Sequence, residues 1–194
     1  DGTKQLNSFA DQQQRINDFL SQRLESIDAP PSRLKDAMAY SLLSGGKRMR
    51  PLLVYATAES IDLDLEVADF LAAAIEMIHA YSLIRDDLPA MVDDDLSRVK
   101  ATNHIAFDEA TAILAGDALQ SLAFETLSDA PLPADITVQL VRLLAQASGL
   151  MGMAGGQSLD LLAEDKTSNL SELQTIHAGK TGAILKVCVS LTVA

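Results

Sequence analysis

Residues 70–95 read FLAAAIEMIHAYSLIRDDLPAMVDDD and join a strongly apolar stretch to a run of carboxylates. The apolar part, Phe70 to Ile84, predicts a buried helix. Five aspartates then fall within the ten residues 86–95. Carboxylates at the carboxyl end of a helix oppose its macrodipole and repel one another, so this pattern costs stability unless a positive charge neutralises it. We therefore predict that a core helix ends at a site for a cation or a cationic group.

The aspartate run has two interpretations. Carboxylate oxygens suit Mg2+, which keeps much of its water and binds readily when substrate phosphates complete its coordination shell. A site for Mg2+ and a diphosphate is therefore one interpretation. The other is an acidic turn that faces water, because runs of like charge are often simply solvated.

Helical periodicity extends on both sides of this stretch. Apolar residues recur at spacings of three, four and seven between Leu6 and Ile27, which predicts a first helix. Pro30-Pro31 closes that helix, Ser32 is placed to cap a second one, and Gly45-Gly46 ends the second. Further helical patterns cover residues 51–60, 66–91, 108–128, 135–151 and 171–194. No strand pattern competes, so we expect an all-α protein, an antiparallel helical bundle with short linkers.

Composition limits the possible functions. The 194 residues fit a single domain, 1–194, and the 48% of hydrophobic residues fits a folded chain. A net charge of -12 disfavours nucleic acid as a partner. The single cysteine, Cys188, rules out an intrachain disulfide and favours the cytoplasm. No run of about 18 uninterrupted apolar residues is present, so we expect no membrane span.

Four more motifs stand in a fixed order around the aspartates. They are GGKRMRP at 45–51, IHAYSLI at 78–84, GGQSLD at 155–160 and GKTG at 179–182. With the aspartates, these motifs resemble the trans-prenyl diphosphate synthase family, specifically its bacterial farnesyl diphosphate synthase branch, from about Leu34 to Leu191. The resemblance implies the isoprenoid synthase fold, Mg2+ as cofactor and a homodimer. It also implies condensation of isopentenyl diphosphate with an allylic diphosphate, dimethylallyl or geranyl, to give geranyl or farnesyl diphosphate.

The resemblance assigns four residues to the diphosphate of isopentenyl diphosphate: Lys47, Arg50, His79 and Arg98. Their chemistry suits that role, because arginine offers a bidentate fork to phosphate oxygens and lysine a point charge. Taken alone, Lys47 and Arg50 also fit an exposed basic turn. His79 alone also fits a helix histidine whose hydrogen bonds are satisfied.

A second group is implied for the allylic diphosphate and its metal. The implied metal ligands are Asp86 and Asp87, and the implied catalytic residues are Asp86, Asp87 and Lys180. Val92 occupies the position of a further metal-binding aspartate, and our hypothesis is that Asp93, one residue later, replaces it through a shift of the backbone after Pro89. Thr181 and Gln157 complete the implied substrate contacts, although a helix cap or a polar linker would explain the same residue types. Tyr81 and Ser82, about one turn before Asp86, are implied to set product length. Both also fit ordinary packing positions.

Three substitutions depart from the family pattern. Val92 replaces a metal-binding aspartate, Ser97 replaces an arginine, and Arg85 brings a positive charge beside Asp86 where histidine is common. The second aspartate-rich motif of the family is also absent, and the chain ends within an apolar helical run, so we expect the carboxyl-terminal helices to be missing. A non-catalytic homologue that binds diphosphates without turnover is the main alternative. A terpene cyclase of the same fold and an unrelated acidic metal-binding module are the others.

Overall fold

A computed structural model describes residues 8–91, 95–97 and 100–164 of the chain. In these residues the secondary structure is almost entirely helical. The elements are α1 (Phe9–Glu25), α2 (Arg33–Leu42), α3 (Met49–Ser60), α4 (Leu65–Asp86), β1 (Leu96–Ser97), β2 (Lys100–Ala101), α5 (Asn103–Ala106), α6 (Glu109–Ser128), α7 (Ala134–Ser148) and α8 (Met153–Glu164). The predicted all-α bundle is therefore confirmed.

The differences from the predicted elements are local. The two-residue strands β1 and β2 pair antiparallel, and neither they nor α5 and α8 were predicted. Helix α4 ends at Asp86 rather than near Met91, because Pro89 disfavours helical backbone at the residue before it. Helix α7 ends at Ser148 because Gly149 takes an extended conformation. The predicted helix 171–194 lies outside the described residues, and one domain over 1–194 stays a prediction.

The predicted cap and breaks form as expected at the ends of α2. The Ser32 hydroxyl accepts a hydrogen bond from the Lys35 backbone N–H at 3.1 Å. Gly45 and Gly46 follow α2 with φ angles of 86° and 126°, a region that glycine enters without the steric cost of a Cβ. This turn redirects the chain into α3.

Helix α4 lies at the centre of the bundle and contacts α1, α2, α3 and α6. Ala72, Ala73 and Ala74 are all fully buried, so their small side chains let the neighbouring helices approach closely. Leu65–Asp86 and Ala134–Leu159 are each long and apolar enough to cross a membrane by length and composition alone. Within the protein, 78% of the most apolar segment of the first stretch is buried, against 28% of that segment in the second stretch, which runs from α7 into α8. The absence of a membrane span stays a prediction.

A buried polar network ties α1 and α3 to α4. Asp69 accepts hydrogen bonds from Arg15 Nε and Nη2 at 2.8 and 2.7 Å and from the Tyr55 hydroxyl at 2.6 Å. The hydrogen bond to Asp69 raises the pKa of Arg15. Burial, followed by the charge of Asp69, raises the pKa of Tyr55 far above its ordinary value of 10.0. The network therefore keeps Arg15 charged and Tyr55 neutral.

Candidate functional site

Residues 45–50, the turn after α2 together with the first two residues of α3 and here called the basic turn, line one side of the candidate site. Gln13 of α1 donates a hydrogen bond to the Lys47 backbone oxygen at 2.9 Å and thereby anchors the turn. The Lys47 side chain is exposed. Arg48 adopts a left-handed conformation with φ 53°, and its side chain is buried. Consecutive basic residues therefore have different environments.

Three of the predicted isopentenyl-side residues meet at one cleft. The cleft has a volume of about 510 Å³, and its lining residues are Gly45, Gly46, Lys47, Arg48, Met49, Arg50, Glu76 and His79. Arg50 Nε is buried without a hydrogen-bond partner among the described residues. A buried N–H donor without a partner is costly, and an anion in the cleft would satisfy it. The cleft therefore suits a phosphate or carboxylate ligand.

Arg48 and Glu76 support this cleft from inside. Arg48 Nη1 lies 3.6 Å from Glu76 Oε1, and both side chains are buried. Arg48 also donates to Asn17 Oδ1 and to the Leu42 backbone oxygen, each at 2.8 Å. Sequence reasoning missed this pair. The signal was present, since Glu76 interrupts an apolar helix and a buried carboxylate needs a partner.

Helix geometry connects the cleft to the aspartates. His79 and Asp86 are seven residues apart on α4, nearly two full turns, so they share one face of the helix and lie about 10 Å apart along its axis. Glu76 lies one turn before His79 on nearly the same face. The basic cleft and the first aspartate are thus on the same side of the central helix.

Asp86 already has a cationic partner. Arg85 Nε and Nη2 donate to its Oδ1 at 3.2 and 3.1 Å. The Arg85 guanidinium carbon also lies 5.3 Å from the centroid of the Tyr81 ring, one turn earlier on α4. The side chains of Arg85 and Asp86 are only 20% and 19% exposed. The positive charge expected beside Asp86 is therefore in direct contact with it.

Asp87 has a different environment. It caps the carboxyl end of α4 and lines a second cavity, of about 100 Å³, together with Tyr40, Lys100 and Asn103 among others. The described residues contain no group of three or more His, Cys, Asp or Glu side chains placed to hold a metal. Mg2+ nevertheless needs only one or two protein carboxylates when phosphates and water supply the remaining ligands, so Asp86 and Asp87 fit its chemistry.

The two residues predicted to set product length are packed inside the bundle. Tyr81 lies against α6, where a Cβ on Gly116 would come 3.1 Å from Tyr81 Cδ2. Ser82 is buried, and its hydroxyl donates to the His79 backbone oxygen at 2.7 Å. Tyr81 therefore packs between α4 and α6, and Ser82 is a buried residue of α4 whose hydroxyl is satisfied within its own helix.

The remaining predicted residues divide into two groups. Gln157 is buried on α8, and neither side-chain polar atom has a hydrogen-bond partner among the described residues. The others, Asp93, Arg98, Lys180 and Thr181, lie outside the described residues.

His104 received no role from the sequence. It is buried, with Nε2 3.7 Å from Oδ1 of Asp95, the last aspartate of the run, and Nδ1 3.2 Å from the Thr102 hydroxyl. It therefore lies near the carboxyl end of the acidic run, while the described lining of the basic cleft does not include it.

Comparisons with known proteins identify the family of the chain. A family model described as polyprenyl synthetase matches residues 31–194. The farnesyl diphosphate synthases of Haemophilus influenzae and Escherichia coli are 54% and 49% identical over 180 and 181 residues, which is 92% and 91% of this chain. These alignments cover 61% and 60% of the two relatives, so the chain spans about three fifths of their length.

Solved structures support the same fold. A geranyltransferase from Legionella pneumophila superimposes with a TM-score of 0.92 at 46% identity, covering 95% of this chain and 66% of that one. An FPP/GFPP synthase from Zymomonas mobilis superimposes with a TM-score of 0.89 at 44% identity, covering 95% and 68%. The ordered motifs, the helical bundle and these relatives together show that the chain belongs to the polyprenyl synthetase family and has the isoprenoid synthase fold.

Proposed function

We propose that this protein is a Mg2+-dependent short-chain prenyltransferase that condenses isopentenyl diphosphate with dimethylallyl or geranyl diphosphate to give geranyl or farnesyl diphosphate. The observation that carries the proposal is the meeting of Lys47, Arg50 and His79 at one cleft, on the face of α4 that ends at Asp86. A local basic cluster in a chain of net charge -12 is the feature that an anionic substrate requires.

The cleft is the proposed site for isopentenyl diphosphate. Arg50 has a buried Nε without a partner among the described residues, and its planar fork matches two phosphate oxygens. Lys47 adds a mobile point charge and His79 a ring nitrogen from α4. Arg98 is proposed as a fourth contact by its place in the sequence pattern.

The allylic diphosphate is proposed to lie at the carboxyl end of α4. Asp86, Asp87 and Asp93 are the proposed metal ligands, with Lys180, Thr181 and Gln157 as direct substrate contacts. When bound, Mg2+ supplies positive charge against the departing diphosphate, a form of electrostatic stabilisation. The allylic carbon–oxygen bond breaks, the isopentenyl double bond attacks the carbocation, and a proton is lost. An apolar bundle interior suits this reaction because it keeps water away from the cation.

Product length is proposed to depend on Tyr81 and Ser82. Both lie about one turn before Asp86, where a growing chain would extend into the bundle. A larger side chain at Ser82 would shorten that path. A homodimer in the cytoplasm completes the proposal, on the strength of the family resemblance and the single cysteine.

A non-catalytic homologue is the second candidate, and the contact between Arg85 and Asp86 favours it. A carboxylate that already holds a guanidinium is a poorer metal ligand. Val92 and Ser97 add to the same argument, since each removes a charged group that the family pattern contains. Such a protein would bind diphosphates and leave them unchanged.

The test is incubation of the protein with isopentenyl and geranyl diphosphates and Mg2+, with product and released pyrophosphate measured. Condensation supports the transferase. Binding of either diphosphate substrate without turnover, measured by isothermal titration calorimetry, supports the non-catalytic homologue. Arg50→Ala should raise the KM for isopentenyl diphosphate at least about tenfold, because a charge-assisted pair is lost. Arg142→Ala, at an exposed position on α7, is the matched control and should leave the KM unchanged. The absence of any diphosphate binding would refute both functions.

A further inference from the structure

The guanidinium of Arg85 is held in place from two sides. Two of its N–H groups donate to Oδ1 of Asp86, at 3.2 and 3.1 Å. Its carbon lies 5.3 Å from the centre of the Tyr81 ring, within the range of a cation–π contact. The guanidinium therefore brings a positive charge directly against the Asp86 carboxylate.

The Tyr81 ring that supports Arg85 is itself constrained. Gly116 of α6 leaves so little space that a Cβ at that position would lie 3.1 Å from Tyr81 Cδ2. The Cδ2 edge of the ring therefore packs against α6 while its face meets Arg85. Because Arg85 and Asp86 are each about four fifths buried, water screens their attraction less than it screens a fully exposed pair.

The contact between Arg85 and Asp86 affects the binding of any divalent cation at Asp86. Such a cation either binds a carboxylate whose negative charge Arg85 already partly neutralises, through Oδ2 or by sharing Oδ1 with the two N–H donors, or it must displace Arg85 from Asp86. It also approaches the positive charge of Arg85 at a partly buried surface, where repulsion between like charges is stronger than in bulk water. Both effects weaken metal binding at this carboxylate.

We propose that Arg85 is a positioning residue that holds Asp86 and competes with the divalent cation for it. The inference rests on the proposed function, because it assumes that Asp86 is a metal ligand. It adds that Asp86 binds Mg2+ only at a higher Mg2+ concentration than the same site would need without the charge of Arg85, or only when a diphosphate is also bound. Arg85 touches no reacting atom in this proposal and acts only through Asp86.

The test measures Mn2+ binding by electron paramagnetic resonance, with and without inorganic pyrophosphate. Arg85→Gln removes the charge, and we expect it to tighten Mn2+ binding by at least about threefold. Arg85→Lys keeps the charge and should stay within about twofold of the unmodified protein. In an Asp86→Asn background, Arg85→Gln should lose most of its effect, which a purely structural role for Arg85 would not predict.

The outcomes separate this inference from the proposed function. Equal or weaker Mn2+ binding by Arg85→Gln, in a protein that otherwise binds Mn2+ with pyrophosphate, overturns the role of Arg85 and leaves the proposed function intact. No Mn2+ binding by any variant, with or without pyrophosphate, overturns both. Circular dichroism and Tm verify folding, and Arg85→Met, which keeps an aliphatic stem against Tyr81, replaces Arg85→Gln if that variant does not fold.

Discussion

Arg48 of the basic turn and Glu76 of the central helix form a buried ion pair, with Nη1 and Oε1 3.6 Å apart. The exposed neighbour of Arg48, Lys47, lines the same cleft. One short turn therefore serves two purposes. Arg48 holds the turn against α4, and Lys47 is left available to a ligand.

Glu76→Gln should destabilise the fold. The substitution keeps the shape of the side chain but leaves the Arg48 guanidinium buried without its counter-charge, and breaking a buried pair in this way commonly costs about 3 kcal/mol. Urea unfolding followed by circular dichroism measures the loss. Glu59→Gln, on the exposed end of α3, is the control and should change stability by less than about 0.5 kcal/mol. If Glu76→Gln and Glu59→Gln had equal free energies of unfolding, the pair of Arg48 and Glu76 would contribute little to stability.

Tyr55→Phe should change how stability depends on alkaline pH. Burial raises the pKa of Tyr55 in the folded protein far above 10.0, its value in an exposed chain. Above about pH 10 the unfolded chain therefore loses this proton while the folded chain keeps it, and stability falls by up to about 1.4 kcal/mol per pH unit.

The Phe variant lacks this contribution. Its stability is lower near neutral pH, because the hydrogen bond to Asp69 is gone, and it declines less steeply above pH 10. Urea unfolding of both proteins between pH 8 and 11 measures the two slopes. If the stability of the two proteins declined with pH at the same slope, the raised pKa of Tyr55 would be contradicted.

Ser32→Ala should weaken the start of α2. The Ser32 hydroxyl accepts the Lys35 N–H, and loss of such an N-cap typically costs about 1 kcal/mol. Ser121→Ala is the matched control, because Ser121 lies on the solvent-exposed face of α6, away from both helix ends. It should be neutral or slightly stabilising. Thermal unfolding of both variants provides the comparison, and similar Tm values for the two would argue against the cap.

Gly116→Val should disturb the contact between α6 and Tyr81. A single Cβ there would already lie 3.1 Å from Tyr81 Cδ2, so a branched side chain overpacks the interface and should cost about 1–3 kcal/mol. Ser121→Val, on the exposed face of the same helix, separates this effect from helix propensity. If Tyr81 sets product length, the displaced ring should also change the products. An equally small loss of stability in both variants would contradict the close contact.

Helix positions were largely predictable from the sequence because they depend on neighbouring residues. Ser32 caps α2, Gly45 and Gly46 end it, and apolar spacing gives α1, α3 and α6 within a few residues. The boundary errors, at the ends of α4 and α7, come from local backbone effects at Pro89 and Gly149 that a periodicity argument does not weigh.

Part of the candidate site was also predictable. The type and order of Lys47, Arg50 and His79 pointed to a diphosphate, and the structure places all three at one cleft. Their individual roles stay proposals.

The sequence by itself determined the helical bundle, the family and the candidate set of charged residues, because periodicity, turn residues and motif order are properties of neighbours along the chain. Only the tertiary structure decided that Arg48 is buried against Glu76 while Lys47 stays exposed at the cleft, and that Arg85 lies against Tyr81 and Asp86. Which partner a charged side chain meets depends on contacts between separate helices and on the space they leave, and spacing along the chain does not specify either.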